Sequence, residues 1–197
     1  MPYIADEHQY IDQATGVFRN KIGAKTQAKL DKAEAEITYI VITTLVQGSR
    51  VERLTFNTQL LKDVHKEIFR DIYAWAGNFR TVVMSKGDST FANPEFIQSE
   101  LDKLSKKLSH DARLNGRKDE FIDALVYYYA ELNFIHPFRE GNGRAIRTFL
   151  SLLAKKYDYV IAWNNMDPDE NINACREAMH GRDRKMHDLL TRITSRI

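Results

Sequence analysis

The sequence predicts a mostly α-helical fold with one short β-hairpin. Apolar residues recur at three- and four-residue steps along most of the chain, and the segments carrying them are bounded by cap-forming Asn, Asp, Thr, Gly and Pro. Residues that favour β structure gather between Phe79 and Phe91. From the N-terminus, Thr26 to Gly48 sets Leu30, Ala33, Ile37, Val41 and Leu45 on one stripe, with Thr26 as N-cap and Gly48 as the stop. A second helix begins near Asn57, carries Leu60, Val64, Ile68, Ile72 and Trp75, and is expected to end at Gly77. Thr81, Val82 and Val83 then lead through the turn-forming Lys86-Gly87-Asp88 to Ser89, Thr90 and Phe91, which reads as the hairpin.

Asn93-Pro94-Glu95 opens a third helix, a cap followed by proline where no N–H is needed, continuing through Ile97, Leu101, Leu104 and Leu108. A fourth runs from about Lys118 to Asn133. Pro137 biases His136 away from helical geometry, so His136 should stand at that helix's exit. Ala145 to Tyr157 is again helical, Asp167-Pro168-Asp169-Glu170 caps another helix ending near Gly181, and a basic helix is expected toward Arg196.

Composition bounds what this fold does. A net charge of +2 leaves no electrostatic footprint for direct nucleic-acid binding. Cys175 is the only cysteine, so no internal disulfide forms and a reducing compartment such as a bacterial cytoplasm is expected. The first residues carry Asp6, Glu7 and His8 where a secretory signal needs an apolar stretch, and no apolar run reaches membrane-spanning length. The 197 residues suit one domain. The last residues carry no terminal signal, which fits the front part of a longer protein.

The chemistry is concentrated in His136-Pro137-Phe138-Arg139-Glu140-Gly141-Asn142-Gly143-Arg144-Ala145-Ile146-Arg147. Gly141 and Gly143 can adopt backbone angles closed to other residues, letting N–H groups converge at the N-terminus of the next helix, where an anion is favoured. Arg144 and Arg147 stand three apart on that helix, so both guanidinium groups are expected at one polyphosphate. Glu140 offers a hard oxygen ligand for Mg²⁺, which usually takes its remaining ligands from substrate phosphates and water. His136 titrates near neutrality and can take a proton from an attacking hydroxyl.

This stretch resembles the signature of the Fic (filamentation induced by cAMP) family, H-x-F-x-(D/E)-G-N-G-R-x-x-R, at every specified position. The segment from Ile68 to Arg80 is similar to the helix end and flap entry of Fic cores, and Thr15 to Lys21 is similar to the entry segment of many members. The resemblance spans about 57–157, which it implies is the core, with an N-terminal extension over 1–56 and C-terminal helices over 158–197. The resemblance implies transfer of AMP from ATP to a Tyr, Ser or Thr hydroxyl of a target protein. His136 would be the base, Glu140 the Mg²⁺ ligand, and Asn142 with the glycine amides the anion hole. Arg144 would take the β-phosphate and Arg147 the γ-phosphate. Val82, Val83, Met84, Ser85, Lys86, Gly87 and Asp88 would form the flap that clamps the target by strand-like pairing. Gly143 stands where members that transfer a whole phosphate have lysine. The inhibitory motif S/T-x-x-x-E-G/N is missing, which resembles the toxin-antitoxin class, where a small partner supplies the glutamate that pairs with Arg147. Type II topoisomerase subunits are frequent targets in that class, and some members are translocated into recipient cells.

Rival readings are transfer of another phosphate-containing group, removal of AMP, and a non-catalytic module that senses nucleotide. His180 and His187 match no common zinc spacing. His8, His65 and His110 read as surface residues, and Tyr127-Tyr128-Tyr129 as core and rim packing.

Overall fold

The computed structural model describes residues 9–86 and 89–197. At its centre is α4 (Lys118–Ile135), apolar around most of its circumference and therefore buried on several sides at once. Phe121, Leu125, Tyr128, Tyr129 and Leu132 face α3 (Ile97–Leu108), α5 (Asn142–Lys156), α6 (Pro168–Met179) and α7 (Arg184–Ile193), which pack around it. On the far side of α5 lie α2 (Thr58–Phe69) and α1 (Gln27–Gly48), so α4 and α5 form the shared wall of one continuous core.

Caps behave as their chemistry requires at several starts. The side chains of Asn57, Asn93 and Asp167 accept from the amides of Leu60, Glu95 and Glu170. Thr26 precedes α1 but its side chain makes no capping bond. The buried residues of α1 are Leu30, Glu34 and Thr38, four apart, while the expected Ala33, Ile37, Val41 and Leu45 are only half-buried.

Three boundaries differ from expectation. The second helix stops at Phe69, eight residues before Gly77. Beyond it the chain winds in turns, because the Ile72 carbonyl is taken by the Lys21 amide and the Gly77 amide by the buried His65 ring. Ile72 and Tyr73 still reach the core through those turns. α5 starts at Asn142, earlier than Ala145, with the Gly141 carbonyl accepting its first helical bond from Ala145. The C-terminal helix ends at Ile193, and Thr194–Arg196 forms a strand, β4, antiparallel to β3 (Tyr159–Ile161). Strands of three residues show no alternation long enough to stand out in a sequence.

The hairpin forms with two residues per strand, β1 (Ser85–Lys86) and β2 (Ser89–Thr90), in the register Ser85 to Thr90 and Lys86 to Ser89. Gly87 and Asp88 of the expected turn lie outside the described residues. Below the strands, Val82 and Met84 turn inward with Phe91 and Tyr10 to make a second, small apolar cluster, and Val83 faces outward.

Candidate active site

The loop between α4 and α5 takes its shape from residues that do no chemistry. α4 ends because Pro137 follows His136, and His136 closes it in the left-handed region at φ 47°. Phe138 is fully buried, and the Asn142 carboxamide, 3% exposed, accepts from the Phe138 amide at 2.8 Å and donates to its carbonyl at 2.6 Å. Asn142 therefore contributes its side chain to closing the loop, leaving its backbone amide for an anion at the start of α5. Gly141 has φ +79°, and a Cβ there would lie 2.2 Å from the Phe69 ring. The second glycine differs: Gly143 is already helical, and what its missing side chain makes room for is the Arg147 guanidinium, 3.0 Å from the position of a Cβ.

His65, expected at the surface, is fully buried beneath this loop. Its Nδ1 accepts from the Gly77 amide at 2.9 Å, so Nε2 is the protonated nitrogen and donates to the Glu140 carbonyl at 3.0 Å. The ring stacks on Phe138 at 3.8 Å. Burial pushes its pKa down to about 4, with the nearby Arg144 cation acting in the same direction and the bond to Glu140 opposing. The unfolded chain binds a proton at this histidine below about pH 6.5 and the folded chain does not, so stability falls as pH drops from 6.5 to 4. The expected loss across that window is on the order of 3 kcal/mol. Melting curves measured at intervals over the window should show it, and His65→Gln, which takes up no proton, should flatten it.

The loop, α6 and the base of the hairpin enclose a cavity of about 570 Å³. His136, Glu140, Gly141, Asn142, Gly143 and Arg147 line one side, and Asn171, Cys175 and Met179 of α6 the other, with Met84 and Phe91 at the hairpin edge. Among the described residues lining it, Glu140 is the only carboxylate, against Arg147 and Arg176, so the lining favours an anion. His136 Nδ1 lies 3.2 Å from the Asn133 carbonyl, which can only accept, so Nδ1 carries a hydrogen. The Phe91 ring stacks on the imidazole at 3.9 Å. The Tyr129 hydroxyl donates to Asn171 at 2.8 Å, and its pKa is raised mainly by burial, with the nearby Arg147 cation opposing.

Arg144 departs from expectation. Its guanidinium is not among the groups lining the cavity; it pairs with Glu34 of α1, lies 3.4 Å from the Thr38 hydroxyl and 3.5 Å from Glu140, and sits over the Phe69 ring. Glu34 also accepts from the buried Tyr73 hydroxyl, whose pKa burial and that carboxylate both raise. The physical reason is proximity of charge: a buried carboxylate on the neighbouring helix outcompetes an open cavity for the cation. Glu34→Ala would leave Arg144 and the tyrosine without their acceptor. Because the Arg144 side chain keeps 25% exposure, the loss should fall near the lower end of ~3–5 kcal/mol, read as a shift of the urea midpoint.

Sequence reasoning missed Glu34, His65 and the α6 wall. Glu34 carries a usable signal, an acid midway between Leu30 and Thr38 and beside the apolar stripe of Ala33 and Ile37.

Of the flap residues assigned in advance, Met84 reaches the cavity edge, Val82 is buried beneath it and Val83 is exposed. Ser85 and Lys86 supply the first strand.

Residues 55–154 match the model of the Fic/DOC family. The chain is 36% identical over 191 residues to the protein adenylyltransferase VbhT of Bartonella schoenbuchensis, covering 96% of this chain and 40% of that protein. It spans less than half the length of that relative. A probable protein adenylyltransferase Fic of Escherichia coli K12 is 31% identical, with 81% of this chain and 78% of that protein covered. Among solved structures, the N-terminal Fic domain of a VirB-translocated Bep effector protein from Bartonella quintana, with bound ADP, superposes with a TM-score of 0.89 at 27% identity, over 98% of this chain and 97% of that one. With residues 55–154 matching the family model and its helical frame superposing on a solved Fic domain over 98% of its length, the chain belongs to the Fic/DOC family.

Proposed function

We propose that this domain is a protein adenylyltransferase, transferring AMP from ATP to a Tyr, Ser or Thr hydroxyl of a target protein. One observation carries the reading: an imidazole with its Nδ1 tied to a carbonyl lines the same cavity as Arg147 and the residues at the start of α5. A sensor of nucleotide needs no such base. The names of the relatives and the ADP held by the Bartonella quintana domain point the same way.

In this reading His136 Nε2 takes the proton of the target hydroxyl as its oxygen attacks the α-phosphate. The O–P bond to the target forms, the bond to pyrophosphate breaks, and AMP remains on the protein. Arg147 and the amides of Asn142 and Gly143 bind and orient the phosphates; the Gly141 amide donates to the Glu140 carboxylate at 2.8 Å and would join them only on leaving it. Arg144, turned toward Glu34, supports that helix start from behind and would have to leave Glu34 to touch a phosphate itself. Glu140 suits Mg²⁺: it is half-exposed at the cavity, and no group of three or more His, Cys, Asp or Glu among the described residues forms an all-protein cage. A magnesium ion held there with substrate phosphates would neutralise charge on the leaving group. The hairpin edge would register the target segment.

A separate antitoxin supplying a glutamate to Arg147 fits a cavity-lining arginine that the internal carboxylate Glu34 does not reach. No helix among the described residues is long and apolar enough to cross a membrane. We further propose action in the bacterial cytoplasm or, after translocation, in a recipient cell, with an ATP-binding type II topoisomerase subunit as a target to test first.

The test is incubation of the purified chain with bacterial lysate and ATP labelled on the α-phosphate, followed by mass spectrometry of labelled proteins. AMP on a hydroxyl side chain supports the reading. Label transfer from UTP instead, or none at all with ATP bound, would replace it with group transfer of another kind or with sensing.

A further inference from the structure

We infer that Arg80 is a positioning residue that joins the target-docking hairpin and the base-bearing loop into one mechanical unit. Its functional meaning rests on the transfer reading above. Arg80 stands where the chain leaves the turns after α2 and enters the hairpin, and it is 2% exposed. Its Nε donates to the His136 carbonyl at 2.7 Å, Nη1 to the Val82 carbonyl at 2.7 Å, and Nη2 to the carbonyls of Ala92 at 2.5 Å and Ile135 at 3.2 Å. One guanidinium thereby serves the outgoing leg of the hairpin, its returning leg and the end of α4.

The backbone repeats the connection. The Arg80 amide donates to the Pro137 carbonyl at 2.9 Å, and the Ala92 amide to the Phe134 carbonyl at 3.1 Å. Phe91, next to Ala92, lays its ring on the imidazole.

Physical chemistry explains why an arginine fills this place. A helix leaves its last carbonyls without intrahelical partners, and a cation is favoured among them. Five donors in a rigid planar fork can meet carbonyls arriving from several directions, which a lysine ammonium on a flexible stem cannot do in fixed geometry. Neither hairpin leg can shift without straining bonds that also hold the His136 backbone. A protein segment paired with the hairpin edge would then be registered against the His136 ring directly, with no separate closing motion. Water, which does not touch the hairpin, would gain nothing from that registration.

Hydrogen exchange on the wild-type chain tests the coupling. The amides of Arg80, Ala92 and His136 should show protection within about tenfold of one another and open together as denaturant is added. Free exchange at Arg80 and Ala92 with His136 still protected would overturn the proposal. Arg80→Lys is the companion variant. Its turnover on a protein target should fall by about tenfold or more, while ATP affinity and slow ATP cleavage by water stay within about threefold. Wild-type turnover by a folded Arg80→Lys, or equal losses in all three quantities, would also overturn it. If the variant does not fold, wild-type exchange decides alone. A wild-type chain that modifies no protein would instead reject the transfer reading, whatever the exchange pattern.

Discussion

His136→Ala is expected to lower AMP transfer by a factor of roughly 10² to 10⁴ while leaving nucleotide affinity nearly unchanged. The separation follows from geometry. The groups proposed to hold phosphate belong to the start of α5 and to Arg147, whereas the imidazole belongs to the exit of α4 and lines the same cavity. Removing the ring takes away a proton acceptor and leaves the anion site standing. Single-turnover transfer with labelled ATP, set beside equilibrium nucleotide binding, reads both quantities. Transfer at the wild-type rate would mean that another group accepts the proton. Loss of nucleotide binding in step with turnover would mean that the ring acts mainly on the shape of the pocket.

Gly141→Ala is expected to destabilise the folded chain by about 2 to 5 kcal/mol. Two costs coincide at this residue. Its φ of +79° is closed to side chains, and the new methyl would meet Phe69 ring atoms at 2.2 and 2.4 Å. Phe69 is fully buried and cannot swing away without opening the core between α2 and α5. Chemical denaturation measures the effect. Phe69→Leu in the same chain should give a double variant less unstable than the two single losses added together, since one change relieves the clash caused by the other. Gly143→Ala makes a useful contrast. Its methyl would meet only the flexible end of Arg147, so stability should hardly change while nucleotide affinity weakens.

The helices were legible in the sequence because their information is local. Apolar spacing, a cap and a following proline act within one or two turns, and the starts at Asn57, Asn93 and Asp167 stand where those signals put them. The same holds for the site's core. His136, Glu140, Gly141, Asn142, Gly143 and Arg147 are neighbours in the chain, and one loop carries them to one cavity. Local signals mislead where a distant segment claims a group first. Spacing alone carries the second helix on to Gly77, because nothing local reveals that His65 takes the Gly77 amide. Helical spacing sets Arg144 beside Arg147, because it cannot see a carboxylate 110 residues away.

By itself the sequence determined the fold class, the family and the short stretch that one loop brings to the cavity, since all three are written in residue types at fixed, short separations. Only the tertiary structure decided which arginine faces the cavity, that a buried neutral histidine holds up the Glu140 carbonyl from 75 residues away, and that Arg80 binds the hairpin to the His136 backbone across 56. The physical reason is that these outcomes depend on competition among donors and acceptors brought together by packing, and a buried polar group takes whichever partner the assembled core sets within reach.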